Sequence, residues 1–155
     1  MTAIESNISI SGNLEDLSCS NKDIYKLINL LVEVEPDLEK KILNRDVNIK
    51  FISKSDITEL NTTFLNKNKP TNVLSFPSEE LQKDTPLLGD IAICPAIIKS
   101  EALAQNKDSQ NHLTHIILHS LLHLAGFDHQ DDHQAQKMES IEVIALKKIG
   151  IANPY

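Results

Sequence analysis

The chain has 155 residues, about two-fifths of them apolar, enough to build one core without disulfide staples and too apolar for a disordered chain. Its formal net charge of −7 argues against a general nucleic-acid binder, which carries a basic excess, so any such site must rest on a local patch or a bound cation. Cys19 and Cys94 stand far apart without a C-x-x-C pair, which points to a reducing compartment. The first residues lack the basic start and apolar run of a signal peptide, and no run reaches the roughly 18 apolar residues of a membrane span. These features predict a cytoplasmic protein of a single domain over residues 1–155, with aliphatic side chains building the core because Trp is absent.

Ile8 and Ile10 alternate with polar neighbours, a short strand pattern. From Asn21 the period changes: Ile24, Leu27, Ile28, Leu31 and Val34 recur at helical spacing, and Pro36 interrupts or follows that helix. Val47, Ile49 and Phe51 alternate with Asn48 and Lys50 as a half-buried strand. Asp56 with Glu59 resembles a capping box, followed by Ile57, Leu60 and Phe64 on one helical face. A Pro-Thr-Asn turn leads to a short apolar run from Val73 to Phe76, closed by Pro77, and a second run follows from Leu87 to Cys94. The polar stretch between them predicts a long-looped hairpin, with Pro77 at a strand end or edge. Three helices are expected next, Pro95 to Asn106, Ser109 to Ala125 and Asp132 to Ile149, with Gly126 and Gly150 as the glycines past two of their ends. The pattern predicts an α+β (mixed α/β) domain of about four strands and about five helices.

The chemistry concentrates between Asn111 and Asp128. Nothing between Gln110 and Asp128 is Asp, Glu, Lys or Arg, so this helix is expected to be buried, yet it carries His112, His115, His119 and His123. Residues four apart on a helix lie about 40° apart around the axis and about 6 Å along it, so the last three histidines share a face and neighbours can reach one point. His119 and His123 precede Gly126, and His129 follows three residues after that glycine. A helical pair plus a third imidazole returned by a turn makes a facial tripod with an open position, the form of a catalytic zinc site, at the C-terminal end of a buried helix. Imidazole also suits nickel, copper or iron.

A single core histidine is usually satisfied by a carbonyl; two at this spacing in a charge-free helix, with a third beyond it, point to coordination. His115 either replaces His123 as ligand or packs behind the ligands, and the second reading is preferred. His112 and His133, at helix starts, are expected to be solvated. Asp128 either orients a ligand imidazole or is an ordinary turn residue. The general base of H-E-x-x-H peptidases is replaced by Ser120, which weighs against a peptidase.

The run H-S-L-L-H-L-A-G-F-D-H, His119 to His129, resembles the H-G-x-L-H-L-x-G-Y-D-H signature of the YbeY family of bacterial single-strand-specific endoribonucleases. Leu60-Asn61, P-T-N-V-L-S-F-P from Pro70 to Pro77, L-G-D-I-A-I-C from Leu88 to Cys94, and the closing N-P-Y agree with it in order. The resemblance implies a small mixed sheet ringed by helices, one zinc ion on His119, His123 and His129, and a role in ribosomal RNA processing. Its implied partners are single-stranded RNA and the small ribosomal subunit, whose 16S RNA it would trim at the 3′ end.

Three positions depart from the family pattern. Ser120 replaces Gly, Phe127 replaces Tyr, and Leu65 stands where the family has an Arg that handles phosphate, which implies weaker catalysis. Metal-assisted phosphodiester hydrolysis is the expected chemistry, by zinc-activated water, with Lys67 and Lys69 the candidate counter-charges. Two other readings stay open: a zinc hydrolase of another substrate, and a non-catalytic ribosome-assembly factor with a structural zinc.

Overall fold

Four strands form one mixed sheet in the order β1-β2-β4-β3, in a computed structural model that describes residues 7–78, 87–128 and 130–155. β1 (Ile8–Gly12) and β2 (Asp46–Phe51) are parallel, as are β2 and β4 (Leu87–Ile93). β3 (Val73–Pro77) runs antiparallel to β4 and is an edge strand. The expected hairpin is therefore present, and Pro77, which has no N–H to donate, closes the edge strand. Most of the polar stretch that joins β3 to β4 lies outside the described residues.

The helices are α1 (Asn21–Val34), the short α2 (Glu39–Ile42), α3 (Lys54–Leu65), α4 (Pro95–Ala104), α5 (Ser109–Leu124) and α6 (Asp132–Lys148), which bear out the α+β architecture. Pro36 opens a single 3-10 turn that runs into α2, two short elements the periodicity did not reveal. α3 also starts earlier than the Asp56–Glu59 pattern predicts. Ser53 is its N-cap, accepting from the Asp56 amide at 3.2 Å, so Asp56 lies inside the first turn. α1 carries the reciprocal capping box, Ser20 with Asp23. No helix among the described residues is long and apolar enough to cross a membrane.

The sheet separates two apolar layers. Val47, Ile49 and Phe51 of β2 and Ile91 and Ile93 of β4 join Ile24, Ile28 and Leu31 of α1 with α5 and α6 in the larger one. On the opposite face Ile57 of α3 packs with Leu74, Ala92 and Cys94. Each such side chain contributes about 1.5–3 kcal/mol on burial, and α5 supplies seven apolar ones, so that helix is anchored firmly under the sheet. Gly89 lets the parts come close: a β-carbon there would stand 2.5 Å from the Phe76 carbonyl oxygen and 2.7 Å from a Leu124 methyl. Leu124 ends α5, so this contact holds the C-terminal turn of the histidine helix against the β3–β4 pair.

Candidate metal centre

α5 begins at the N-cap Asp108, whose carboxylate accepts from the Asn111 amide at 2.9 Å. It ends in a Schellman turn: the Gly126 amide donates to His123 C=O at 3.0 Å and the Phe127 amide to Leu122 C=O at 3.1 Å. Gly126 has φ of 103°, the left-handed conformation expected of it from the sequence. The turn brings the Phe127 carbonyl onto His123 Nδ1 at 3.0 Å. A carbonyl only accepts, so Nδ1 of His123 carries the proton and Nε2 presents a lone pair.

His119 is held the same way by a different group. Its Nδ1 is 2.5 Å from Oε1 of Glu142, which is fully buried in the apolar stripe of α6. The other Glu142 oxygen accepts from the Tyr155 hydroxyl. Burial pushes the Glu142 carboxyl upward, but the hydrogen bonds from His119 and Tyr155 and the neighbouring histidines bring it below its ordinary value, so it stays ionised. The Tyr155 phenol is raised well above its usual range by burial and by Glu142, which keeps it a donor. His119 Nδ1 therefore donates as well, and its Nε2 also presents a lone pair.

The two Nε2 atoms approach to 3.0 Å. Two imidazole lone pairs at that separation repel unless a cation lies between them, so the donor set fits a divalent metal ion. Of the three predicted ligands the structure brings His119 and His123 together, while His129 lies outside the described residues. Ligand atoms of His115, His119 and Glu142 also lie within 4.8 Å of one another, a group that could hold a metal ion. There, both Glu142 oxygens already accept, one from His119 Nδ1 and one from Tyr155.

His115 packs behind the pair, 3.5 Å from the Tyr155 hydroxyl and 3.9 Å from Glu142, and its burial pushes it down to about 4, hence neutral. His112 corrects the sequence reading: it is buried, not solvated, with Nε2 3.0 Å from Glu101. Asn72 donates to the same Glu101 oxygen at 3.0 Å, so the Asn of the Pro-Thr-Asn turn ties the start of β3 to α4 and α5. His133 is exposed, as expected. Ser120 is fully buried and its hydroxyl donates to Ile116 C=O at 2.8 Å, a satisfied polar atom away from the cleft.

The histidine pair opens into a cleft of about 730 Å³ lined by Phe64, Leu65, Asn72, the whole of β3, His119, His123, Gly126, Phe127 and Asp128. Leu65 is thus a cleft residue, 53% exposed at the rim. Lys67 and Lys69 sit on the exposed loop just after it and do not line the cleft; Asn61 fixes that loop by donating to Lys69 C=O at 2.9 Å. A cation that sequence reasoning missed is Lys137, 5.9 Å from the centre of the Phe127 ring. Glu142 was missed as well, although a lone charge in the Met138–Ile141–Ala145 stripe of α6 was a readable signal.

The model of a family described as Endoribonuclease YbeY matches residues 9–150. The Endoribonuclease YbeY of Francisella tularensis subsp. novicida (strain U112) is 45% identical over 154 residues, covering 96% of this chain and 92% of that one. The one from Francisella tularensis subsp. holarctica (strain FTNF002-00 / FTA) is 45% identical over 119 residues, 74% of each chain. Among solved structures, the solution structure of TM1509 from Thermotoga maritima is similar with a TM-score of 0.57 and 30% identity, over 92% of this chain and 88% of that one.

Proposed function

The chain belongs to the YbeY endoribonuclease family, a family of hydrolases acting on RNA, and we propose that it cuts single-stranded RNA in the cleft where His119 and His123 converge. The observation that carries this reading is the 3.0 Å approach of two Nε2 atoms whose protons are both held on the far side of the ring. His119, His123 and, by the family signature, His129 would hold the ion; three imidazoles suit zinc best, with nickel or another divalent ion next. Such an ion, when bound, supplies Lewis acidity and lowers the pKa of its water to about 7.

The chain's own residues do the rest. Glu142 and the Phe127 carbonyl fix both ring tautomers, so the two donors stand ready without rearrangement. Asn72 C=O and the Ser78 amide pair with β4, and strand alternation then turns the Val73 and Ser75 amides outward along the edge, as donors for a phosphate. Lys67, Lys69 and Lys137 are the candidate counter-charges for the extra negative charge of the transition state. The in vivo substrate we propose is ribosomal RNA of the small subunit, at the 16S 3′ end, in the cytoplasm; family membership supports this.

The test is cleavage of a labelled single-stranded RNA by the purified protein, after chelation and after zinc is restored, beside His123→Ala. Cleavage that follows zinc and falls at least a thousandfold in the variant supports the reading; cleavage that survives chelation, or persists in the variant, contradicts it. Leu65 at the rim favours one second reading, a ribosome-assembly factor with little turnover. It would show as small-subunit binding by a zinc-loaded protein that leaves RNA intact.

A further inference from the structure

Aromatic side chains are scarce in this chain, with four Phe, two Tyr and no Trp. Phe51 is in the core, yet Phe64, Phe76 and Phe127 all line the cleft that holds the histidine pair. Random placement of so few rings would not gather three of four phenylalanines there. Phe64 is 60% exposed, on the last turn of α3, and Phe76 of β3 braces it edge-on with ring centroids 5.1 Å apart. With Leu65 beside it, also exposed, Phe64 leaves an apolar patch at the mouth of the cleft.

The edge strand lies between the two halves of the cleft. On the sheet face of α5 stand His119 and His123; on the face of α3 stand Phe64 and Phe76. Beside Phe64 the rim offers Leu65, an apolar side chain. With a net charge of −7 and no cation lining the cleft among the described residues, attraction to phosphate is a poor source of affinity. Stacking on an aromatic ring is independent of charge and available only to a base outside a duplex.

We propose that Phe64, braced by Phe76, is a stacking subsite for one unpaired nucleobase of the RNA whose backbone crosses the β3 edge to the His119–His123 pair. The proposal rests on the nuclease reading. It makes base stacking, rather than phosphate charge, the means by which an acidic protein holds its substrate and passes over duplex.

The experiment uses the zinc-loaded full chain with Phe64→Ala and Phe64→Trp, the latter the sole Trp of the molecule. Phe64→Ala should raise KM for single-stranded RNA roughly five- to a hundredfold with kcat changed by less than about twofold. Phe64→Trp should restore KM, and its fluorescence should be quenched by single-stranded RNA and not by a strand carrying an abasic site in place of the stacked base. An unchanged KM in Phe64→Ala, or equal quenching by the abasic strand, overturns the subsite. An unchanged KM together with an altered oligomeric state would identify the patch as a protein interface, which also overturns it. Failure of the nuclease reading shows separately, as absence of cleavage by the wild-type protein, and removes the subsite with it.

Discussion

The two halves of α5 carry the same residue, three apart in the first half and four apart in the second, and use it in opposite ways. His112 and His115, in the first half, are buried against carboxylates, and their Nδ1 atoms have no hydrogen-bond partner among the described residues. His119 and His123, in the second half, have Nδ1 held by an acceptor and Nε2 turned into a cleft. The residue type is common to both. What differs is which nitrogen is claimed from behind, and that is decided by Glu142 on α6, by the Schellman turn at Gly126 and by the end of the helix. On the function proposed above, the ladder becomes a metal site only where the surrounding chain fixes the tautomer.

The largest effect that would break this contrast is expected from Glu142. Glu142→Ala removes the acceptor behind His119 and leaves the His119 imidazole and the Tyr155 hydroxyl without the carboxylate they share. Zinc affinity should fall roughly 10- to 100-fold and stability by about 1–3 kcal/mol, measured by chelator competition and by denaturant unfolding. Unchanged zinc affinity would mean that the tautomer of His119 needs no support.

Acid should act mainly on the buried half. His115 has a folded-state pKa of about 4, below its unfolded value of 6.5, because burial disfavours the charged ring. The folded state thus binds fewer protons there, and His115 contributes stability that is fully present above pH 6.5 and is lost as pH falls toward 4. Glu142, also lowered, adds a loss of the same sign below its ordinary range. His115→Phe should flatten the limb between pH 6.5 and 4 of a stability–pH profile, whose depth from this group is up to about 3 kcal/mol. An unaltered limb in that variant would place the acid sensitivity elsewhere.

Tyr155→Phe gives the smallest expected effect and sharpens the comparison. It keeps the ring against His115 and deletes only the hydrogen bond to Glu142, so zinc affinity should drop a few-fold while the fold is retained. A loss as large as that of Glu142→Ala would show that the Tyr155 hydrogen bond, rather than the one from His119, holds the carboxylate in its working state.

The elements that the sequence made legible are those with a long, clean period. The β2 alternation, the α1 face, the charge-free α5 and the two terminal glycines all stand where periodicity put them. The meeting of His119 and His123 in one cleft was legible too, from their i, i+4 spacing just before a glycine turn. Local competition hid the rest. Ser53 and Asp56 are both good caps three residues apart, and the backbone chose Ser53. The 3-10 turn and α2 are too short to show a period. His112 read as solvated because its partner Glu101 lies 11 residues away on α4, and Asn72, which donates to the same carboxylate, lies 29 residues from Glu101. Glu142 lies 23 residues from His119, and only tertiary packing joins them.

The place proposed for the ion is the Nε2 side of His119 and His123, not the group of His115, His119 and Glu142. Its most direct test is a zinc titration against a chromophoric chelator for the wild type and for His112→Ala, His115→Ala and His123→Ala, each verified as folded by circular dichroism. The account predicts that His123→Ala loses tight binding while His112→Ala and His115→Ala stay within about tenfold of the wild type. Tight binding kept by His123→Ala and lost by His115→Ala would contradict it.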